Sequence, residues 1–280
     1  MQNRSVCPFD KLIYTNENMK NKIVVITGAS SGIGLATAQY FAQKGNKVYG
    51  LSRRGTSDGS FVGVQCDVTD YAAVAETYNQ IMQAEGRIDV LVNNAGMGIS
   101  GAAEHIPSEQ TEKLFKLNTL AVVECTRLAV PYLKQSKGAV VFVSSVAAVV
   151  PIPFQTAYSM SKSAINMFAE ALRLELRGSG VRVCAVMPGD TKTGFTAARE
   201  KTVDEQGGYE GKLGKSVSRM ERDETHGRSP LTVAKAIYKL SCKRNPPPLS
   251  AVGLEYKLVC WLVKWLPTRF MLWIVGKLYG

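Results

Sequence analysis

The chain has 280 residues, of which 45% are hydrophobic and 20% are charged. These values are typical of a globular protein with a sizeable core and exclude a disordered or fibrous chain. The net charge of +11 indicates anionic partners, which include nucleic acids, membrane surfaces and phosphorylated small molecules. Because no dense Lys/Arg run, zinc-finger pattern or RNA-recognition motif occurs, we predict no nucleic-acid partner and favour a phosphorylated small molecule.

Cysteine and histidine usage narrows the chemistry further. The six cysteines form no C-x-x-C pair, so we expect reduced, mostly buried thiols, a cytoplasmic protein and no metal site. The two histidines, His105 and His226, are too few for a three-histidine metal centre. Residues 1–20 lack an apolar run long enough for a signal peptide and are predicted to be an N-terminal extension.

Strand and helix patterns then alternate along the chain. Short apolar runs predict strands at 22–27, 47–52, 61–68, 89–96, 138–145 and 181–189. Amphipathic segments that end near glycines predict helices between these strands, including helices at 110–135 and 158–177. This alternation predicts an α/β, Rossmann-type, doubly wound parallel sheet in one domain, 21–250.

A glycine-rich turn follows the first strand. "TGASSGIG" places Gly28, Gly32 and Gly34 in a G-x-x-x-G-x-G pattern between a strand and a helix, with Ser30, Ser31 and Ile33 between them. Glycines allow the backbone to turn sharply and approach a pyrophosphate, which then lies at the helix N-terminus. The turn therefore predicts a dinucleotide site, and its alternative is a tight turn without a ligand.

The second strand ends in Ser52, Arg53 and Arg54. An acidic residue at this place would bind the ribose 2′-hydroxyl of NAD, but none occurs between Gly34 and Asp58. Because a guanidinium group binds phosphate through a planar fork of donors, these arginines favour NADP(H). The alternative is a solvated arginine pair without a ligand.

Later strands end in further polar or small residues. The fourth strand ends with Asn93 and Asn94, where a structural role in tying strand ends together is as plausible as a cofactor contact. At the end of the sixth strand, Gly189 allows close backbone approach, and Thr191 and Thr193 offer hydroxyl groups. In sheets of this kind ligands bind beyond the carboxyl ends of the strands.

Tyr158 and Lys162 are four residues apart on a predicted helix and therefore share one face. A nearby ammonium group favours the ionised phenol, which would allow the tyrosine to act as an acid or base at neutral pH. The alternative is two unrelated side chains on a solvated helix face. The other motifs favour the catalytic interpretation.

Five motifs recur in order over roughly residues 20–195: "TGASSGIG", "NNAG", a serine thirteen residues before a tyrosine, "YSMSK" and "PG". Together they resemble the short-chain dehydrogenase/reductase family, and in general layout its hydroxysteroid dehydrogenases. The resemblance implies that Tyr158 is the catalytic acid/base and that Lys162 lowers its pKa and holds the nicotinamide ribose. It also implies that Ser145 rather than Ser144 binds the substrate oxygen and that Asn118 holds a water for proton relay.

The resemblance also implies positions along the cofactor. Asn94 and Gly96 would line the adenosine ribose, and Asp67 and Val68 would lie near the adenine. Thr193 would contact the nicotinamide carboxamide or the phosphate region, with Ala95, Pro188 and Gly189 also among the cofactor-binding residues. Thr191 departs from the family, in which Val or Ile is frequent at that place, so the surroundings of the nicotinamide are open. Helices 110–135 and 158–177 imply a homodimer or homotetramer.

Residues 194–230 are polar, glycine-rich and charged, without a steady apolar period. A segment of this length after the last strand predicts a mobile lid over the substrate. Its apolar candidates for substrate contact are Phe195, Tyr209 and Met220.

The C-terminal segment, 251–280, contains all three tryptophans, Trp261, Trp265 and Trp273. Its apolar arc is broad, yet basic residues and Pro267 exclude a transmembrane helix. Two alternatives stay open for what covers the arc. One is peripheral membrane contact, and the other is packing over the pocket or against a second subunit.

An apolar tail and a basic surface suit a small hydrophobic substrate. We therefore predict an NADP(H)-dependent enzyme that interconverts a secondary alcohol and a ketone, with a hydroxysteroid or bile acid as the leading substrate. The alternative enzyme is a membrane-surface reductase of a long-chain lipid ketone. A non-catalytic NADP(H)-binding protein is disfavoured because the Ser, Tyr and Lys of the motif are all present.

Overall fold

The computed structural model describes residues 20–202 and 209–279. Seven parallel strands form one sheet in the order β3-β2-β1-β4-β6-β7-β9. Two further short strands, β5 and β8, pair with each other outside it. The strands are β1 (Ile23–Thr27), β2 (Lys47–Ser52), β3 (Val62–Gln65), β4 (Val90–Asn93), β5 (Ile99–Ser100), β6 (Ala139–Val143), β7 (Arg182–Pro188), β8 (Glu200–Lys201) and β9 (Leu249–Val252).

Helices follow most strands and cover both faces of the sheet. They are α1 (Gly32–Gln43), α2 (Tyr71–Glu85), α3 (Ser108–Phe115), α4 (Ala121–Ser136), α5 (Thr156–Glu175), α6 (Lys212–Thr225), α7 (Pro230–Cys242), α8 (Leu254–Leu262) and α9 (Thr268–Tyr279). One π-helical turn, Lys116–Leu120, joins α3 to α4. The Rossmann-type α/β fold predicted from the alternating patterns is confirmed.

The core lies in two layers, one on each side of the sheet. One layer packs α2, α4 and α5 against the strands through side chains such as Tyr78, Leu133 and Ile165. The other layer packs α1 and α7 through Phe41 and Ile237. Every residue of β1 and β6 is buried, which explains why both strands are continuous apolar runs in the sequence.

The structure adds elements that the sequence patterns do not predict. β9 extends the sheet beside β7, and α6 occupies much of the segment that lacks a steady apolar period. The buried residues of α6 are Leu213, Ser216 and Met220. Because Ser216 is polar, these positions do not form an apolar stripe that the sequence would reveal. The N-terminal extension 1–20 lies outside the described residues except for Lys20.

The C-terminal segment folds as two helices, α8 and α9, separated by Pro267. Tyr256 and Cys260 pack inward against a small cluster formed by Val146, Met187 and Ala251. Within residues 20–202 and 209–279, no helix has the length and apolar character needed to cross a membrane.

Candidate active site

The carboxyl ends of β1 and β4 are tied together by side chains. The hydroxyl oxygen of Thr27 accepts hydrogen bonds from the backbone N–H groups of Asn94 and Ala95, each at 3.0 Å. The amide nitrogen of Asn94 donates to the carbonyl oxygens of Thr27 at 2.9 Å and Gly28 at 3.2 Å. The structural role considered for Asn94 is therefore present, and it fixes the loop that contains Ala95 and Gly96. Asn93 points elsewhere and donates to the hydroxyl of Thr126 at 2.9 Å.

The glycine turn has the geometry that a dinucleotide needs. Gly28 and Gly32 have φ values of +69° and +56°, which side chains other than glycine rarely adopt. A Cβ atom on Gly34 would lie 2.2 Å from the carbonyl oxygen of Gly28, so only glycine allows this close packing.

The N-terminus of α1, where the turn ends, is open to an anion. Ser31 is its N-cap residue but makes no side-chain capping bond, and the first turn contains no acidic residue. Its positive end and free N–H groups therefore fit a phosphate group. Ser30 and Ile33 lie in the same turn, so the residues predicted from this motif form one cradle.

The end of β2 brings basic residues to this cradle. The guanidinium of Arg54 donates to the hydroxyl of Ser30 at 3.2 Å. Ser52 is buried and accepts from the N–H of Gly55 at 3.1 Å, which positions the turn that carries Arg53 and Arg54. This arrangement fits an additional phosphate beside the turn.

Asp67 and Val68 follow β3 next to this basic pair. Val68 is buried, whereas the Asp67 carboxylate accepts from the N–H and the hydroxyl of Thr69 at 2.9 and 2.8 Å. The backbone hydrogen bond from Thr69, its hydroxyl bond and the nearby charge of Arg53 together lower the pKa of Asp67. Asp67 therefore stays ionised at neutral pH near the place where an adenine is expected.

Tyr158 lies in the first turn of α5 and is partly buried. Burial raises the pKa of its phenol to about 12, and a hydrogen bond with Ser145 opposes that shift. Glu224 raises the pKa further, whereas Arg199 lowers it. Tyr158 is therefore protonated at neutral pH, as a proton donor to a carbonyl oxygen must be.

The structure distinguishes the two serines that follow β6. Ser144 is buried, and its hydroxyl donates to the carbonyl oxygen of Lys162 at 3.2 Å, away from Tyr158. Ser145 starts a 3₁₀ turn, in which its hydroxyl accepts a hydrogen bond from the N–H of Ala147 at 3.1 Å. The same side chain is hydrogen-bonded to Tyr158. Ser145 is thus the serine that lies beside the phenol.

Lys162 is buried one turn after Tyr158. Its ammonium nitrogen lies 5.8 Å from the centre of the Tyr158 ring and donates to the carbonyl oxygen of Val143 at 3.0 Å. Burial lowers the pKa of Lys162 to about 8. The ammonium is therefore held by one backbone acceptor, close to the phenol and to the end of β6.

Asn118 lies in the π-helical turn and is fully buried. Its side-chain oxygen accepts from the N–H of Met97 at 2.8 Å, and its nitrogen donates to the carbonyl of Met97 at 2.9 Å and to the hydroxyl of Ser161 at 3.2 Å. The turn thus links the loop after β4 to the helix that carries Tyr158. π-Helical turns inside longer helices occur frequently at functional sites.

The loop after β7 contains Pro188, Gly189, Thr191 and Thr193. Thr191 is buried, and its hydroxyl donates to the carbonyl oxygen of Gly189 at 2.9 Å. The polar group that distinguishes this position from the family's Val or Ile is therefore hydrogen-bonded within the loop. The methyl side of Thr193 faces Gly32 of the cradle. The ring of Tyr256 covers Gly189, where a Cβ atom would lie 2.1 Å from the ring.

The segment after this loop forms one wall of the site. Phe195 lies 5.8 Å, between ring centres, from Tyr158. The buried Arg199 pairs with Glu224 of α6, whose carboxylate also accepts from the hydroxyl of Thr196 at 2.5 Å. Met220 of α6 is buried against the start of α5. Its sulphur accepts a hydrogen bond from the side-chain amide of Gln155 at 3.0 Å. Tyr209 instead packs edge-on against Phe154, with ring centres 5.8 Å apart.

The residues of this site that are absent from the sequence predictions include Arg199, Glu224 and Tyr256. Arg199 and Glu224 lie in the segment without a clear period, and their pairing depends on where α6 packs. Tyr256 belongs to the apolar tail, where its spacing indicates only a buried helix face. The only signal in the sequence for Tyr256 is its place on an apolar helix face. This signal does not identify Gly189 as its contact.

Comparison with known proteins fits this geometry. The sequence pattern of short chain dehydrogenases matches residues 22–204. The chain is 36% identical over 267 residues to a 3-ketodihydrosphingosine reductase of Bacteroides thetaiotaomicron, and the match covers 94% of this chain and 99% of the relative.

Solved structures extend the comparison to the fold. A short-chain dehydrogenase from Streptomyces avermitilis superposes with a TM-score of 0.78 at 28% identity, covering 86% of this chain and 92% of that one. A serine dehydrogenase in its closed form with NADP⁺ superposes with a TM-score of 0.70 at 25% identity, covering 82% and 94% of the two chains.

Among these relatives, the 3-ketodihydrosphingosine reductase supports the lipid-ketone alternative better than the hydroxysteroid interpretation. The glycine cradle, the Ser145–Tyr158–Lys162 cluster and the matched pattern over residues 22–204 agree with one another. The chain belongs to the short-chain dehydrogenase family and is an oxidoreductase acting on alcohols and ketones.

Proposed function

We propose that this protein reduces the ketone of a long-chain lipid to a secondary alcohol with NADPH as the hydride source. The observation that carries the proposal is the similarity along nearly the whole of both chains to a 3-ketodihydrosphingosine reductase. The match covers 94% of this chain and therefore extends well beyond residues 22–204, which the family pattern covers. The cluster of Ser145, Tyr158 and Lys162 supports the reaction type.

The residues present fit a dinucleotide cofactor. The cradle of Gly28 to Gly34 would hold the pyrophosphate at the N-terminus of α1, and Arg53 and Arg54 would bind the 2′-phosphate of NADP(H). When bound, the reduced nicotinamide supplies a hydride. Lys162 and the Gly189 loop would hold the nicotinamide half, with Tyr256 behind the loop.

The chain's own groups supply the proton and the orientation. Tyr158 is protonated at neutral pH and donates its proton to the carbonyl oxygen of the substrate. The hydroxyl of Ser145, beside the phenol, donates a second hydrogen bond to the same oxygen. The ammonium of Lys162 then stabilises the phenolate that remains.

The test is turnover of 3-ketodihydrosphingosine, followed by the loss of reduced-nicotinamide absorbance. NADPH and NADH are compared in parallel, and a 3-ketosteroid and a keto bile acid serve as competing substrate classes. We expect turnover of the lipid ketone and its loss in Tyr158→Phe. Tyr132→Phe, which removes a hydroxyl bonded to Asn79 on the surface, is the matched control and should retain activity. Preferred turnover of the steroid would contradict the proposed substrate.

Cofactor selection is tested separately. Arg54→Ala removes a charged donor beside Ser30, and we expect its KM for NADPH to rise by about tenfold. The KM for NADH should change little, because NADH lacks the 2′-phosphate. Arg177→Ala, an exposed arginine after α5, is the control for a lost positive charge. Equal effects on both nucleotides would overturn the assignment of Arg54.

A further inference from the structure

Among residues 20–202 and 209–279, the outer surface of the C-terminal helices is apolar and exposed. Nine of the fifteen large apolar side chains exposed in the described residues lie between 254 and 278. They include Leu254, 79% exposed, Trp265, 73% exposed, and Trp273, 60% exposed. A surface this apolar on a folded chain indicates a binding site for a partner or a membrane.

The aromatic rings of this surface form two exposed pairs. Trp261 and Trp265 lie 6.3 Å apart between ring centres, and Phe270 stacks on Trp273 at 5.9 Å. Leu254 and Leu258 continue the Trp261–Trp265 stripe toward the start of α8 at helical spacing. We define the tail face as these side chains together with the four exposed cations Lys257, Lys264, Arg269 and Lys277.

The tail face carries a net positive charge. Its four cations are exposed, and the single acidic residue in 254–279, Glu255, is paired with Arg228 through two hydrogen bonds of 2.7 Å. Helical spacing puts Lys257 and Lys264 on the same side as Trp261, and Arg269 and Lys277 on the same side as Trp273. Tryptophan beside lysine and arginine is typical of helices that lie in the interface of an anionic membrane.

Charge also disfavours a second copy as the occupant. A two-fold interface would bring the tail face against itself and place its cations opposite one another. An anionic bilayer instead accepts the apolar side chains and attracts the cations. We propose that the tail face docks on an anionic lipid surface, with α8 and α9 lying along the membrane.

The inner sides of the same helices contact the candidate site. Tyr256 of α8 covers Gly189, and its hydroxyl donates to the Asp190 carboxylate at 2.5 Å. In α9, Val275 is buried and the ring of Tyr279 lies 5.4 Å from the Arg219 guanidinium of α6, the helix that carries Glu224. A docked tail face therefore holds the lid side of the site next to lipid. A site held next to lipid could receive a lipid ketone directly from the membrane. That role in substrate delivery rests on the proposed function, whereas the docking itself does not.

The test uses the full chain and its own tryptophans. Because all three tryptophans belong to the tail face, the tryptophan emission reports this surface alone. Vesicles of phosphatidylcholine with an equal part of phosphatidylglycerol should shift the emission to the blue, and brominated phosphatidylcholine in them should quench it. Vesicles of phosphatidylcholine alone should bind much more weakly, and added salt should weaken binding to the anionic ones.

Charge reversal supplies the matched variants. Lys264→Glu with Lys277→Glu should lower the apparent affinity for anionic vesicles by at least about tenfold. Lys235→Glu with Lys239→Glu, the same charge change on the exposed side of α7, should not. Equal effects of the two pairs would overturn the assignment to the tail face.

Two further outcomes would overturn the proposal: an emission that does not respond to anionic vesicles, and a blue shift that depends on protein concentration with a doubling of mass by light scattering. Turnover of a short, water-soluble ketone without vesicles tests the chemistry by itself. Docking can therefore fail while the proposed reaction stands, and the reverse holds too.

Discussion

The pKa of Tyr158 responds to both charges of one ion pair. Arg199 lowers the pKa of the phenol, and its partner Glu224 raises it. The side chain of Arg199 is 1% exposed, and its second guanidinium nitrogen, Nη1, is buried without a hydrogen-bond partner. Burial and the hydrogen bond with Ser145 have the larger effects on the pKa of Tyr158, and the Arg199–Glu224 pair adjusts it further.

This arrangement predicts opposite pH shifts for two neutral variants. Alcohol oxidation requires the phenolate, so its rate rises with pH as Tyr158 loses its proton. Glu224→Gln removes the charge that raises the pKa, so the rise should move to lower pH. Arg199→Gln removes the charge that lowers the pKa, so the rise should move to higher pH. Rate–pH profiles of alcohol oxidation measure both, and shifts in the same direction would contradict this account.

Gly34 is the glycine whose replacement has the clearest steric cost. A Cβ atom at this position would lie 2.2 Å from Gly28 O and 2.5 Å from Asn94 Nδ2, both parts of the cradle. We expect Gly34→Ala to lower the free energy of unfolding by about 1–3 kcal/mol and to weaken binding of the nucleotide. Gly276→Ala, in α9 with no atom within 4 Å, should raise it by about 0.5–1 kcal/mol. Denaturant unfolding compares the two, and equal effects would refute the steric argument.

At the scale of elements, the hydroxyl group of Tyr256 links α8 to the loop after β7 by hydrogen bonds. Tyr256 donates to the Asp190 carboxylate and accepts from the N–H of Asp190 at 3.0 Å. Burial raises the pKa of Asp190, whereas the bond from Tyr256 opposes this shift. The hydroxyl therefore stabilises the ionised carboxylate in the folded protein.

Tyr256→Phe should destabilise the protein in a pH-dependent way. At neutral pH the ionised Asp190 loses its donor, at an expected cost of about 1–3 kcal/mol. The variant raises the folded-state pKa of Asp190 further, so the cost shrinks as pH falls through that raised pKa and the carboxyl group becomes protonated. Unfolding of both proteins at neutral and acidic pH measures the difference, and a cost independent of pH would exclude Asp190 as its source.

The elements also show what the sequence could predict. Strands buried on both faces, such as β1 and β6, and the glycine turn follow from local patterns, because burial and backbone conformation are dictated within a few residues. β9 could not be predicted, since its four residues follow three prolines and two of them are only half-buried. The positions of Glu224 and Tyr256 depend on how α6 and α8 pack, which no local period specifies.

At the scale of the whole molecule, α5 presents a second uncovered stripe. Met160, Met167 and Leu174 recur every seven residues and are 60%, 67% and 71% exposed, and Leu120 of the π-helical turn is 53% exposed. This is the helix for which the family resemblance implies subunit contact. An apolar stripe at constant spacing fits a facing helix of another copy better than it fits solvent.

We therefore expect the protein to be a dimer or larger in solution. Met167→Lys with Leu174→Lys should halve the mass measured by light scattering. The introduced lysines of one subunit would lie opposite those of the other, and their like charges would repel. Leu231→Lys, an exposed apolar position on α7 that is 40% exposed, is the control and should leave the mass unchanged. A monomeric parent protein would refute the expectation.

The strand order has a consequence for synthesis on the ribosome. β1 is made first and lies inside the sheet, β2 and β3 add on one side of it, and β4, β6, β7 and β9 add in turn on the other. Each strand therefore meets an edge that already exists, and none must be inserted between strands that are already paired. Because proteins emerge N-terminus first, the tryptophan-rich helices leave the ribosome after all seven strands of the sheet have been made.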